Sequence, residues 1–333
     1  MSNRGDVFPD GLLLRAVEEG MCLVQPKGLW SSVTRSCLPL LAAVCAASLG
    51  LAACGDDGGD EAGSTLERLQ EEGTIKVAFA GEVPYSYEDE NGELTGATIA
   101  IDTAIFNAMG IENVEGQLVE WDALIPSLNK GEFDAVSAGM SILPERCERG
   151  AFAEPTLMYT STLMVAAGNP EGLEDFASFE GSDATLAVQS GAIEQGFAED
   201  LGLGNTMTVN SAQDGMDAVA SGRADAFSLT NITLSAMAED NDAVETTGGF
   251  VAEVDGLRQI SAGSTVFRPD DTELLEAYNE ELAKIVGDPD RFEELVGEFG
   301  FTNDERPPAG LTAEMLCNDD LEAANEAADQ AEQ

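Results

Sequence analysis

The stretch WDALIPSLNKGEFDAVSAGMSILPERCERGAFAEP, residues 121–155, decides the fold. Leu124, Ile125 and Leu128 recur at helical spacing, and Gly131 follows where a helix would stop. Residues 135–138 then form a short apolar run of the kind a buried parallel strand shows. The polar loop 139–146 therefore leaves the carboxyl end of a strand, and in open α/β sheets that edge is where ligands sit. It holds one arginine, Arg146, whose guanidinium fork can give a ligand carboxylate two parallel hydrogen bonds. The layout is that of a binding site.

Outward from this stretch, strand-like and helix-like segments alternate. A strand is predicted over 75–79 and a helix with its apolar face at Ile101, Ile105, Ala108 and Met109. A second set follows: strands over 162–166, 185–188 and 226–229, with helices over 191–202 and 212–221. A strand over 259–267 and helices over 271–286 and 289–299 come last. Such alternation predicts an α/β protein with a mainly parallel sheet in each set. No Pro- or Ser-rich linker separates the sets, so two lobes joined by extended crossings are expected, one from 66–160 plus 260–333, the other from 161–259. The acidic tail after Gly310, ending EAANEAADQAEQ, is expected to fray.

Composition removes whole classes of chemistry. With 333 residues, 44% of them hydrophobic, there is material for two cores. Histidine is absent, which excludes His-based acid/base catalysis, Ser-His-Asp and Cys-His pairs and most zinc and haem sites. No P-loop, GxGxxG or CxxC motif occurs, and neither a catalytic residue, a metal nor a cofactor is expected. A net charge of −48 excludes nucleic acid and anionic membrane surfaces as partners. Beyond residue 54 the only lysines are Lys76, Lys130 and Lys284, so a salt-adapted surface is expected.

The N-terminus reads as a processing signal. Residues 38–54, LPLLAAVCAASLGLAAC, follow Lys27 and Arg35 and are too short for a comfortable membrane span. Their end, LAACG, resembles the lipobox of bacterial lipoproteins, which implies lipidation of Cys54. Asp6, Asp10, Glu18 and Glu19 do not suit a signal's basic start, so Met21 is the expected initiator. Residues 1–53 are thus a signal peptide and 54–65 a lipidated cysteine with a flexible Gly/Asp tether. Membrane contact would run through the lipid alone. Cys22, Cys37 and Cys45 leave with the signal, and the remaining pair, Cys147 and Cys317, suggests a disulfide in an oxidising compartment.

Three segments carry a family resemblance: PYSYEDENGELTG (84–96), the 121–155 stretch and SAQDGMDAVASGRADAF (211–227). They resemble the family 3 solute-binding proteins of ABC importers, and the likeness extends over about 66–301. It implies the type II periplasmic-binding fold, a monomer of two lobes that close on a small polar ligand and deliver it to the permease subunits in the membrane, outside the cytoplasm. Within the family, GMSILPERCERGAFAEP and the GNPEGL at 168–173 are most similar to ectoine/hydroxyectoine-binding proteins, which implies a small zwitterionic compatible solute.

Carried over residue by residue, the resemblance gives Arg146 the ligand's carboxylate. Tyr85 and Trp121 become cleft aromatics for a delocalised cation, and Glu82 an acceptor for amidinium N–H groups. Gly139 and Ser141 lie beside them. In the second lobe, Ser190, Gly191 and Ala192 precede a predicted helix, and their backbone N–H groups would complete the carboxylate site. Thr230 stands where α-amino-acid binders usually have an aspartate, which argues against a standard α-amino acid, and Asp225 is read as structural. Ser141 departs from the pattern, since ectoine binders resemble one another in an aromatic ring there. Either Tyr159 or Phe152 supplies that wall, or the ligand differs. The alternatives are a polar amino-acid or opine receptor, a prephenate/arogenate dehydratase-like enzyme, for which one arginine and no histidine are poor equipment, and a receptor sensor domain, which would need a transmembrane helix after Cys54.

Overall fold

A computed structural model describes residues 64–239 and 241–331. The signal peptide, Cys54 and nearly all of the tether lie outside the described residues. Helix Thr65–Glu72 begins where the tether was expected to end: Ser64 caps it, accepting from the Glu67 N–H while the Glu67 carboxylate accepts from the Ser64 N–H. Thr65 is therefore helical, one residue earlier than the expected boundary.

Two sheets form the framework. In the first, strands run in the order Asn113–Leu118, Thr74–Phe79, Ala135–Ser141, Ala262–Phe267, Ala151–Phe152, with Leu157–Met158 also paired to Ala262–Phe267. The first three are parallel, and Ala262–Phe267 is antiparallel to its neighbours. Both faces of this sheet are covered, which is why Ala135–Ser141 is almost continuously buried. On one side helices Ala97–Ala108, Thr272–Val286 and Pro289–Val296 contribute Ile101, Ile105, Phe106, Tyr278, Leu282 and Phe292 to the core. On the other lie Leu124 and Leu128 of helix Leu124–Asn129, with Leu316, Ala324 and Ala327 from the C-terminal end of the chain.

The second sheet has the order Thr206–Val209, Leu186–Gln189, Ala226–Thr230, Ser161–Ala166, Val244–Thr246. Its first three strands are parallel and the other two pair antiparallel. Helix Ala212–Ala220 packs Ala218 and Val219 against Phe227 and Leu229 of this sheet. The chain passes from the first sheet to the second between Met158 and Ser161 and returns between Phe250 and Ala262. These two crossings lie side by side, with Ser161 N–H bonded to the Phe250 carbonyl at 3.0 Å and Tyr159 N–H to the Ser261 carbonyl at 3.3 Å. The result is the two-lobed type II periplasmic-binding fold with a cleft between the lobes.

The expected frayed tail is corrected. Helices Ala313–Cys317 and Leu321–Ala331 dock on the first lobe, and Ala324 and Ala327 are buried because their three-residue spacing puts both on one face. Asn325 donates to the Arg258 carbonyl at 2.9 Å, and Arg258 pairs with Asp329. A disulfide joins Cys147 to Cys317, with 5.7 Å between their Cα atoms.

Candidate functional site

Four strands direct their carboxyl ends to the cleft, ending at Phe79, Ser141, Gln189 and Thr230, and most of the residues lining it sit at or near those ends, with Trp121 following strand Asn113–Leu118 and Tyr159 on the first crossing. Glu82, Tyr85, Trp121, Gly139, Ser141 and Arg146 of the first lobe, with Ala192 and Thr230 of the second, border one small cavity of about 30 Å³. Gly191, the remaining residue expected in the site, borders an adjoining and wider opening with Trp121 and Arg146. A 30 Å³ space holds about one water, so entry of any solute requires the lobes to part.

Arg146 lies in the short helix Pro144–Cys147, where Pro144 at the first turn fixes the chain direction directly after the strand. The side chain is 7% exposed. Nη1 donates to the Ser141 carbonyl at 3.0 Å and Nη2 to the Gly191 carbonyl at 2.7 Å. Its guanidinium carbon lies 5.6 Å from the centroid of the Trp121 ring, within cation–π range. Among the described residues no carboxylate forms an ion pair with it, and burial pulls its pKa below the usual arginine value. A buried cation bonded to neutral carbonyls has the chemistry to take up an anion.

Tyr85 is positioned from below: its carbonyl accepts from the Thr98 N–H at 3.0 Å and the Thr98 hydroxyl at 2.9 Å, at the start of helix Ala97–Ala108. The residue is 2% exposed, and its hydroxyl is buried without a hydrogen-bond partner among the described residues. Gly139 admits that ring, since a Cβ there would stand 2.8 Å from Tyr85 Cδ1 and the backbone φ is +57°. Tyr159, on the first crossing, meets Tyr85 edge to face with centroids 6.3 Å apart and donates its hydroxyl to Ser141 Oγ. Ser141 therefore holds the Tyr159 ring beside the cavity that both residues border. Phe152 instead belongs to the core behind the sheet.

The acids are Glu82 and Glu194. Glu82 accepts from Thr233 Oγ1 at 2.7 Å, and Thr230 Oγ1 donates to the same Thr233 hydroxyl at 3.0 Å. Burial raises the Glu82 pKa above the usual carboxylate value. Glu194, on helix Ile193–Asp200, was not read from the sequence. It is 1% exposed, accepts from Ser161 Oγ at 2.9 Å, and burial pushes it up to about 7. Gln189 is a second cleft residue that sequence reasoning missed. Asp225 does have a structural role: its carboxylate accepts from the Thr185 N–H at 2.7 Å.

The turn at Gly191 differs from expectation. The helix begins at Ile193, and all three N–H groups assigned to an anion are bonded within the lobe: Ser190 to the Val209 carbonyl, Gly191 to Gln195 Oε1 and Ala192 to the Gln189 carbonyl. What the turn presents to Arg146 is the Gly191 carbonyl, which also accepts from Trp121 Nε1 at 3.3 Å. Only glycine suits the position, with φ at +72° and a Cβ that would lie 2.6 Å from Asp122 Oδ1.

Residues 75–296 match the bacterial extracellular solute-binding proteins, family 3. A probable amino-acid ABC transporter periplasmic-binding protein of Sinorhizobium fredii is 34% identical over 244 residues, 71% of this chain and 80% of its own length. The arginine-binding extracellular protein ArtP of Bacillus subtilis is 27% identical over 74% of this chain and 91% of its own. Among solved structures, EhuB in complex with hydroxyectoine is similar at 29% identity and a TM-score of 0.66, covering 76% of this chain and 97% of that one. The ancestral amino acid-binding protein AncCDT-1, a precursor of cyclohexadienyl dehydratase, is similar at 28% identity and a TM-score of 0.62, covering 71% and 99%.

Proposed function

Because the chain belongs to the bacterial extracellular solute-binding proteins, family 3, we propose that its cleft captures a small zwitterionic compatible solute of the ectoine and hydroxyectoine kind for delivery to an ABC permease. The observation that carries this reading is Arg146, buried without an ion-paired carboxylate among the described residues, in a cleft that also holds the acid Glu82 and the rings of Tyr85, Trp121 and Tyr159. A carboxylate entering the cleft would take the guanidinium fork, and the amidinium of the same molecule would meet Glu82 and the aromatic faces. Lobe closure excludes water, which strengthens both contacts. The similarity to a hydroxyectoine complex supports this choice of solute.

We assign the chain no reaction, since the curated relatives are named as binding proteins. In this reading it works as a monomer outside the cytoplasm, held to the membrane by lipid on Cys54. Polar amino acids form the second reading, favoured by the amino-acid and arginine binding named for the relatives. Calorimetric titration with ectoine, hydroxyectoine, glutamine and arginine tests both. Saturable binding of ectoine or hydroxyectoine tighter than of either amino acid is expected. Tight glutamine or arginine binding with none of ectoine would transfer the assignment to the second reading.

A further inference from the structure

The cleft contains more negative charge than a neutral zwitterion can match. Arg146 is the single cation among the residues bordering the small cavity, whereas Glu82 and Glu194 both border it. Glu82 follows a strand end of the first lobe, and Glu194 stands in the first turn of helix Ile193–Asp200 in the second. Neither has a basic side chain within ion-pair distance among the described residues. Glu194 is almost completely buried and has one side-chain donor, the hydroxyl of Ser161. Once a ligand carboxylate has joined Arg146, a ligand of zero net charge leaves one negative charge in excess beside the almost completely buried Glu194. That excess is expensive in a low-dielectric site, and a proton or a second ligand cation removes it.

We propose that Glu194 matches the site to the net charge of its ligand: a zwitterion of zero net charge binds together with one proton on Glu194, whereas a carboxylate ligand carrying two cationic groups binds without it. The proton comes from solvent. The protonated carboxyl then becomes a donor to the ligand or to the cleft wall, and the ionised one an acceptor for the second cationic group.

The groups facing Glu194 support this division of roles. Burial disfavours its charged form most, Glu82 across the cleft adds to that, and Arg146 and the Ser161 hydroxyl act in the opposite sense, which leaves it near 7. Tyr85 and Tyr159 share the cavity and stay neutral, their own pKa values raised by burial. Thr230 borders the same cavity. A second-lobe acid is thus present, supplied by the helix after Gly191 instead of the strand ending at Thr230, and this reopens the site to cationic amino acids.

The inference rests on the Arg146 carboxylate reading of the cleft and does not require ectoine to be the solute. The protein is titrated calorimetrically at pH 8 with ectoine and glutamine (net zero) and arginine (net +1), each in two buffers of different ionisation enthalpy. Uptake of about one proton is expected with whichever net-zero ligand binds, and none with arginine. With Glu194 near 7, the Kd for that net-zero ligand should rise about tenfold from pH 6 to pH 8. In Glu194→Gln the uptake should vanish and the Kd become flat with pH, while arginine binding weakens. Equal proton uptake in wild type and Glu194→Gln, or none in either with a bound net-zero ligand, would overturn the proposal. Urea unfolding supplies an arm free of ligand: Glu194→Gln should gain stability relative to wild type between pH 5 and pH 8, and a constant difference would also overturn it. Failure of ectoine to bind, with the proton pattern intact for the amino acids, would remove the ectoine reading alone.

Discussion

Arg146 in the first lobe donates from Nη2 to the backbone carbonyl of Gly191 in the second, at 2.7 Å. The contact ties the lobes together at the one buried cation bordering the small cavity, and Trp121 reinforces it by donating to the same carbonyl. A carbonyl offers only a partial charge, so the pair leaves the guanidinium short of a full counter-ion. A carboxylate is the stronger acceptor. Replacing the Gly191 carbonyl by a carboxylate would turn a lobe-to-lobe contact into a lobe-to-ligand contact.

The disulfide should dominate the anchoring of the C-terminal helices. Cys147 and Cys317 are 170 residues apart, and closing so long a loop contributes on the order of 5 kcal/mol in the chain-entropy model. Cys147→Ser with Cys317→Ser should lower the urea midpoint accordingly, and reductant should do so in the wild type but not in the double variant. An unchanged midpoint would show the helices to be held by packing alone.

Stability should fall as pH rises from about 4 to 7. Asp102 is completely buried, accepts from Tyr278 Oη at 2.5 Å and from Thr265 Oγ1 at 2.8 Å, and burial raises it from 3.8 to about 6. A carboxyl with a folded pKa above its unfolded one holds its proton more tightly in the native state. Its contribution is complete below the unfolded value and is lost as pH rises through the folded one. Asp102→Asn should remove roughly 3 kcal/mol of this pH dependence, read from urea midpoints across pH 4 to 7. An unaltered slope would contradict the assignment.

The surface charge predicts salt-dependent stability. With a net charge of −48, self-repulsion acts over a Debye length of about 10 Å at 0.1 M salt and about 3 Å at 1 M. The urea midpoint should be higher in 2 M KCl than in 0.1 M KCl. An equal or lower midpoint in high salt would mark the acidity as a matter of solubility alone.

The sequence carried the fold where burial was two-sided. Strands Ala135–Ser141 and Ala226–Thr230 are buried along most of their length and read as apolar runs. Strand Asn113–Leu118 is not legible in the sequence, because it is a mostly exposed sheet edge with the polar sequence NVEGQL. The C-terminal helices were hidden by acidic composition, although Ala324 and Ala327 already had the spacing of a buried face. In the site, Arg146 stood out through its loop and its rarity. Glu194 did not, since among 63 acidic residues nothing local distinguishes the buried ones. The Gly191 turn was misjudged because a side chain four residues onward, Gln195, reaches back to occupy its N–H.

The most direct test is the affinity for ectoine of wild type and Arg146→Ala, measured side by side by calorimetry with circular dichroism to confirm the fold. Removing one partner of a desolvated charge pair costs on the order of 2 to 5 kcal/mol, so affinity should fall at least about thirtyfold, with Arg146→Lys between the two for want of the bidentate fork. Ectoine binding by Arg146→Ala within twofold of wild type would contradict the assignment of Arg146 as the carboxylate receptor.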